Sequence, residues 1–195
     1  MASPTLALPA AGGDRRSRRA LSVGVLLLAS GGAMLFGALI AAYLHLRVLT
    51  DRWPPRGVTI DQYLGNLAMI TMLLAAVTVE WARYALRRGE RQQTAAALGV
   101  TLALGLAVLN LLSYGADRVR FDAVTHPYGL VVTAMVMLLG IIVGIGVALV
   151  TMTLFRVVGR QVSASQPEQL RVTACYWHFC VAASIAVWYT VVVLK

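Results

Sequence analysis

The residue types that could carry chemistry are few and widely spaced in this sequence. Its histidines are His45, His126 and His178, and its cysteines are Cys175 and Cys180. No two of them have the spacing with which a single helix or loop holds zinc or a haem iron. We therefore predict no catalytic residue, no cofactor-binding residue and no metal ligand in this chain.

One carboxylate, Glu80, belongs to a long apolar stretch, where an ionisable group is costly unless it has a partner or a task. Arg83 follows three residues later, and both side chains are close enough to the end of the stretch to reach water. We expect Glu80 to be solvated or paired with arginine rather than to carry protons.

Arginine and aromatic residues gather at the ends of two apolar stretches. Such clusters are typical of contacts with phospholipid head groups, because one guanidinium can bond a phosphate through two N–H groups. An imidazole in the same place needs a hydrogen-bond partner, either on another helix or on a lipid phosphate. The candidates for lipid or interface contact are Trp81, Arg83, Arg87, Arg88, Arg91, Tyr176, Trp177 and His178.

Hydrophobic residues make up 59% of the 195 residues and charged residues 13%, a balance too apolar for a soluble domain. A helix crosses a bilayer with roughly 20 apolar residues. The sequence predicts an all-α integral membrane bundle of five transmembrane helices, at about residues 20–48, 62–86, 94–114, 127–155 and 172–194. Residues 1–19 are predicted to form a flexible cytoplasmic tail before the membrane domain, residues 20–195.

The net charge of +9 does not indicate nucleic-acid binding, because the arginines occupy short segments between apolar spans. Their distribution indicates orientation instead. Segments 15–19, 83–91 and 156–171 fall on one side of the predicted bundle and carry more arginine than the other side. The positive-inside rule therefore predicts the N-terminus inside and the C-terminus outside.

Small residues in the first and fourth spans predict close approach between helices. Gly32 is one of several glycines in the first span, and Gly140, Gly144 and Gly146 lie in the fourth. Gly140 and Gly144 form a GxxxG pattern. We predict close packing within the chain for this pair, with a partner interface or chance as the alternatives.

Four short motifs follow one another along the chain. They are Trp53-Pro54-Pro55 after the first span, Gly89-Glu90-Arg91 after the second, Tyr128-Gly129 opening the fourth, and Tyr176-Trp177-His178-Phe179 in the last. In this order and with these intervals, the chain resembles subunit III of the haem-copper (cytochrome c) oxidases, in a divergent five-helix bacterial form. Gly140 matches a further glycine of that family, and the resemblance covers residues 20–195.

The resemblance implies an accessory subunit of an aerobic respiratory oxidase, in the bacterial plasma membrane, without a redox centre of its own. It implies that haem and copper lie in partner subunits, and that the partners are catalytic subunit I, subunit II, other subunits and bound phospholipid, with no nucleic acid. The implied roles are to stabilise the catalytic subunit and to support proton uptake and the access of oxygen and lipid. A lipid-filled cleft between the first two helices and the last three is also implied.

Several polar positions of the family are apolar here. Gly32 stands where the family carries a membrane-embedded Glu, Leu139 and Ile142 replace two histidines around Gly140, and Val181 replaces an Asp. These differences keep a second interpretation open, a subunit III-like component of a nitric oxide reductase or another haem-copper assembly. A stand-alone small transporter or assembly factor is the third, although the sequence lacks embedded charges and an internal repeat.

Overall fold

The computed structural model describes residues 11–50, 53, 62–118, 127–162 and 167–194. Within these ranges all regular structure is helical. The helices are α1 (Ala11–Leu49), α2 (Gln62–Arg87), α3 (Arg91–Arg118), α4 (Pro127–Val158) and α5 (Glu168–Trp188), and a π-helical turn over Tyr189–Val193 continues α5.

Each of the five helices contains a segment that is long and apolar enough to cross a membrane. These segments are Ser22–Leu49, Gln62–Arg87, Arg91–Gly115, Pro127–Val158 and Glu168–Val193. The predicted all-α membrane bundle of five helices is thereby confirmed.

The helices extend beyond several of the predicted spans. A helix ends where its backbone hydrogen bonds end, whereas an apolar span ends at the first charged side chains. The largest difference is in α1, which begins at Ala11, ahead of the predicted start at residue 20. Residues 11–19, predicted to belong to a flexible tail, are therefore helical. Residues 1–10 lie outside the described ranges.

The last helix, α5, packs against three of the other four helices. The most extensive contact joins α2 to α3, and α3 also packs on α4. α5 lies against α4, α2 and α1. Half of the apolar span of α5 is buried within the chain, compared with 17% of the spans of α1 and α2. The outer surface of the described bundle is therefore formed largely by the other helices.

Both leading helices pack on the last three. α1 packs on α4 and α5, and α2 packs on α3 and α5. The lipid-filled cleft that the resemblance implies stays a prediction.

Two ends of the bundle are distinguished by their side chains. At the end where α2 stops and α3 starts, Arg91 reaches the carbonyl groups at the end of α4. This end is termed the basic end and is defined by Arg83, Arg87, Arg88, Arg91 and Arg156. The opposite end is termed the aromatic end and is defined by Tyr43, Trp53 and Tyr128.

Polar side chains within the apolar spans bond across helices, as they must when no water is available to pair with them. One such bond joins α2 to α3, a second joins α4 to α5, and a third joins α5 to α2. The pairs are Thr78 with Thr101, Thr153 with Thr173, and Trp188 Nε1 donating to Asn66 Oδ1, each over 2.8 Å.

A tight turn joins α2 to α3 at Gly89. The Gly89 N–H donates to the Leu86 carbonyl and the Glu90 N–H to the Ala85 carbonyl, both over 3.0 Å. Closing these bonds puts Gly89 at φ +76°, a left-handed conformation that glycine adopts without the Cβ clash of other residues. The left-handed turn thus explains why the Gly89-Glu90-Arg91 motif begins with glycine.

We expect Gly89→Ala to lower the free energy of unfolding by about 1 to 2 kcal/mol, the penalty for a side chain in the left-handed region. Gly99→Ala is the matched control, because Gly99 lies within α3 with open space around it and alanine favours a helix over glycine. Unfolding by a denaturing detergent measures both variants. Equal stability of Gly89→Ala and the wild type would contradict the prediction.

Candidate functional site

The motif of residues 176–179 is termed the α5 tetrad. Its four side chains point towards different neighbouring helices. Successive residues of a helix are about 100° apart around its axis, so four consecutive side chains point in four directions. Because α5 packs against α1, α2 and α4, these directions lead to different neighbours. The tetrad is therefore a junction of the bundle.

Trp177 fills a groove made by two glycines. Its ring is fully buried, and a Cβ at Gly105 of α3 would lie 2.7 Å from Trp177 Cη2, while one at Gly146 of α4 would lie 3.2 Å from the same ring. The indole N–H has no hydrogen-bond partner among the described residues. Trp177 was a candidate for lipid or interface contact. Its ring is buried between α3 and α4, so it is not available to lipid.

Tyr176 also faces inward rather than towards lipid. Its hydroxyl donates to the Ile142 carbonyl of α4 over 3.0 Å, and the Cys180 thiol approaches the same oxygen at 3.7 Å. A carbonyl has a second lone pair beyond the one used in its own helix. Tyr176, a lipid or interface candidate, thus belongs to the α4–α5 contact inside the chain.

Phe179 lies against α1 at the position where the resembling family carries a glutamate. A Cβ at Gly32 would stand 2.9 Å from Phe179 Cζ and 3.1 Å from Ile142 Cδ1. The other replaced positions, Leu139, Ile142 and Val181, are buried in the apolar core. The positions at which the resemblance implies polar residues are therefore filled by packed hydrocarbon in this chain.

His178 turns towards α2, where it meets the embedded carboxylate. Its Nδ1 lies 2.7 Å from the Ala174 carbonyl oxygen, and its Nε2 lies 3.5 Å from Glu80 Oε1. The same carboxylate oxygen accepts a hydrogen bond from Arg83 Nη1 over 2.6 Å. Arg83, Glu80 and His178 thus form a polar group that spans α2 and α5, and the expected Arg83 pair of Glu80 is present.

The remaining arginine candidates divide into engaged and exposed groups. Arg91 donates from Nε to the Val157 carbonyl over 2.7 Å and from Nη2 to the Val158 carbonyl, which satisfies carbonyl groups at the end of α4. The Arg88 guanidinium lies over the Tyr84 ring, 4.5 Å from its centroid, and Arg87 is exposed. Trp81, 44% exposed, lies on the surface of the same helix.

Two of the sequence motifs meet at the aromatic end. The Trp53 ring packs edge-on against Tyr128 at 4.8 Å and against Tyr43 at 5.1 Å between centroids. Tyr43 and Tyr128 are buried, as is Gly129. Pro54 and Pro55 lie outside the described residues. The cluster ties the loop after α1 to the start of α4, which explains why the Trp53 and Tyr128 motifs occur together.

The GxxxG pair of α4 does not pack against another helix of the chain. A Cβ at Gly140 or Gly144 would meet no atom within 4 Å, so the predicted close packing within the chain is wrong for this pair. Gly146, on another face of α4, makes the tight contact instead. Gly105 and Tyr43 were not predicted, because a single glycine or tyrosine in an apolar span does not reveal which helix it faces.

No three His, Cys, Asp or Glu side chains come together to hold a metal ion in the part of the chain that the structure describes. Cys175 is exposed and Cys180 is buried, and both are free thiols. The predicted absence of metal ligands and catalytic residues stays a prediction.

Comparison with known proteins gives one consistent result. The family model for cytochrome c oxidase subunit III matches residues 13–194. The chain is 27% identical over 168 residues to cytochrome c oxidase subunit 3 of Strongylocentrotus purpuratus, and 28% identical over 169 residues to that of Oncorhynchus mykiss. Each alignment covers 83% of this chain and 65% of the relative, so the chain spans less than two thirds of the length of these relatives.

We expect Gly105→Ala to destabilise the bundle by about 1 to 3 kcal/mol, because the added methyl overpacks the Trp177 ring. Phenylalanine is smaller than tryptophan, so Gly105→Ala should cost less stability in a Trp177→Phe background than in the wild type. Gly140→Ala, with open space at the site, is the control. Similar unfolding midpoints for Gly105→Ala and Gly140→Ala would contradict the packing described.

Proposed function

Because this chain belongs to the cytochrome c oxidase subunit III family, we propose that it is the accessory subunit III of an aerobic haem-copper terminal oxidase. In this role it stabilises the catalytic subunit and supports proton uptake and the access of oxygen and lipid. The observation that carries the proposal is the match to the family over residues 13–194.

The packing of the motif residues supports the proposal. Trp53 and Tyr128, from separate motifs, pack on each other at the aromatic end, and the α5 tetrad joins α5 to its neighbours. These motif residues thus build a scaffold, which suits a subunit that supports a partner. The proposal assigns haem and copper to the partner subunits, as the resemblance to the family implies.

The chain is a multi-pass membrane protein, and its arrangement in the membrane is part of the proposal. Arginine is concentrated at the basic end, where Arg83, Arg87, Arg88 and Arg91 end α2 and begin α3. By the positive-inside rule this distribution supports a cytoplasmic location for the basic end. Subunit I, subunit II and other subunits of the complex are the proposed partners within the plasma membrane.

Large apolar side chains line the outside of α1, which makes it a surface for lipid or for a partner subunit. Leu27, Met34 and Leu35 are all exposed. At the basic end the exposed residues Trp81, Arg87 and Arg88 combine an interfacial aromatic ring with cationic groups. This combination supports a bound phospholipid, with its phosphate at the arginines.

We expect the double variant Arg87→Gln, Arg88→Gln to retain less phospholipid than the wild type when the complex is analysed by native mass spectrometry. The matched control is Arg156→Gln, Arg160→Gln, which removes the same charge from the last turn of α4 and the turn that follows it. An unchanged lipid complement in the first variant, or equal losses in both, would locate the phospholipid elsewhere.

A subunit III-like role in a nitric oxide reductase or another haem-copper assembly is the second candidate. The observation that favours it is the apolar core at Gly32, Leu139, Ile142 and Val181, where the resembling family carries polar groups. A complex that did not depend on those groups would tolerate the replacement.

An affinity-tagged chain, purified from native membranes in mild detergent, should bring with it a complex with haem absorbance that consumes oxygen. The control is an unrelated tagged membrane protein from the same cells. Reduction of nitric oxide without oxygen consumption would favour the second candidate. A colourless, homogeneous polypeptide would contradict both and leave a stand-alone transporter or assembly factor.

A further inference from the structure

We propose that the exposed face shared by α2 and α5 binds one transmembrane helix of a partner chain, and that this helix brings a neutral hydrogen-bond donor to Glu80 and His178. The inference rests on the proposed function, since it requires a partner within the membrane. It deepens that function by naming the surface of contact and the chemistry of the helix that binds there.

The outward side of α5 lies between α1 and α2. α2 packs on α3, α3 on α4 and α4 on α1, so these four helices form an arc around α5. Within the described residues, α1 and α2 share no extensive contact that would close this arc. α5 therefore remains exposed between α1 and α2.

The exposed residues of α5 form a stripe along the helix. His178, Ala182 and Ile185 are exposed and follow one another at intervals of four and three residues. These intervals keep side chains on one side of a helix, and a second helix packs along residues with this spacing. The stripe thus has the pattern of a helix-binding surface.

α2 adds a second row beside this stripe. Asn66, Leu73 and Glu80 are spaced by seven residues, so they share one side of α2, and each is exposed or partly exposed. That side borders α5, because Trp188 Nε1 donates to Asn66 Oδ1 over 2.8 Å and His178 Nε2 lies 3.5 Å from Glu80 Oε1. The two rows together are termed the α2–α5 face and are defined by Asn66, Leu73, Glu80, His178, Ala182 and Ile185.

The α2–α5 face is long enough for a membrane-spanning partner. Asn66 and Glu80 are about 21 Å apart along the axis of α2. This length is about two thirds of the hydrocarbon thickness of a bilayer. A transmembrane helix that lies along the face would therefore contact both rows over most of its apolar length.

Two hydrogen-bond acceptors face each other at the end of the α2–α5 face nearer the basic end. His178 Nδ1 lies 2.7 Å from the Ala174 carbonyl oxygen. That oxygen only accepts, so Nδ1 donates, and Nε2 of the neutral ring accepts. Nε2 lies 3.5 Å from Glu80 Oε1, which is also an acceptor. An amide NH2 group has two N–H donors and can bond both atoms.

The chemistry of this end favours a protein helix over a lipid. The side chains of Glu80 and His178 are 44% and 47% exposed. An acyl chain has no donor for them, and a lipid phosphate would meet the negative carboxylate. Hydroxyl and amide side chains of transmembrane helices supply such donors across helix interfaces. Arg83 already pairs with Glu80 over 2.6 Å, so a neutral donor fits the site better than a second cation.

The first test uses the native complex, purified through a tag on this chain, with a photo-reactive phenylalanine analogue in place of Ile185 or Leu73. These side chains are 40% and 43% exposed, one on each helix of the face. We expect both positions to cross-link to the same transmembrane peptide of another chain, identified by mass spectrometry. Ile141, 62% exposed on α4, is the matched control position and should not cross-link to that peptide.

The second test concerns the donor contact. His178→Leu removes the acceptor Nε2 and should lower the amount of partner that stays bound in mild detergent about threefold to tenfold. His178→Gln supplies an acceptor oxygen and should restore binding. Asn110→Leu, which also replaces an exposed polar residue of an apolar span, is the matched control and should retain the partner as the wild type does.

Recovery of a haem-containing complex whose cross-links from the α2–α5 face reach only lipid, or a second copy of this chain, would overturn the inference and leave the proposed function intact. Equal loss of partner in His178→Leu and Asn110→Leu, no recovery in His178→Gln, or a cross-link from Ile141 to the same peptide would also overturn it. If no other chain co-purified, the proposed function and the inference would both fail.

Discussion

The close fit of Trp177 between the backbones of α3 and α4 is the contact on which the rest of the bundle depends. Gly105 and Gly146 leave no room for a side chain beside the ring, so the three helices can approach only in this register. Within a bilayer, such packing must supply much of the association that the hydrophobic effect supplies in water. Once α5 is fixed in this way, Tyr176 is set against α4, Phe179 against α1 and His178 against α2.

The same constraint separates a packed interior from a basic end and an aromatic end. The interior holds Gly32, Leu139, Ile142 and Val181, the positions at which the resemblance implies polar groups. The ionisable side chains Glu80, Arg83 and His178 meet instead on the flank of the bundle, where α2 faces α5.

The number and approximate positions of the helices could be predicted from the sequence, because the bilayer demands apolar runs of a given length. The neighbours of individual residues could not. Trp177 was assigned to the lipid interface since aromatic residues collect there, but its ring is buried between α3 and α4. The Gly140 and Gly144 pair was expected to pack, whereas the tight contacts fall on Gly105 and Gly146, and spacing alone does not show which face of a helix meets a neighbour.

Quenching of tryptophan fluorescence by brominated lipids tests the central position of Trp177 most directly. The chain has four tryptophans, so one variant would retain only Trp177 and another only Trp81, with phenylalanine at the other three positions. Because α3 and α4 cover Trp177 while Trp81 lies on the surface, the account predicts strong quenching of Trp81 and little quenching of Trp177. Equal quenching of the two rings would contradict it.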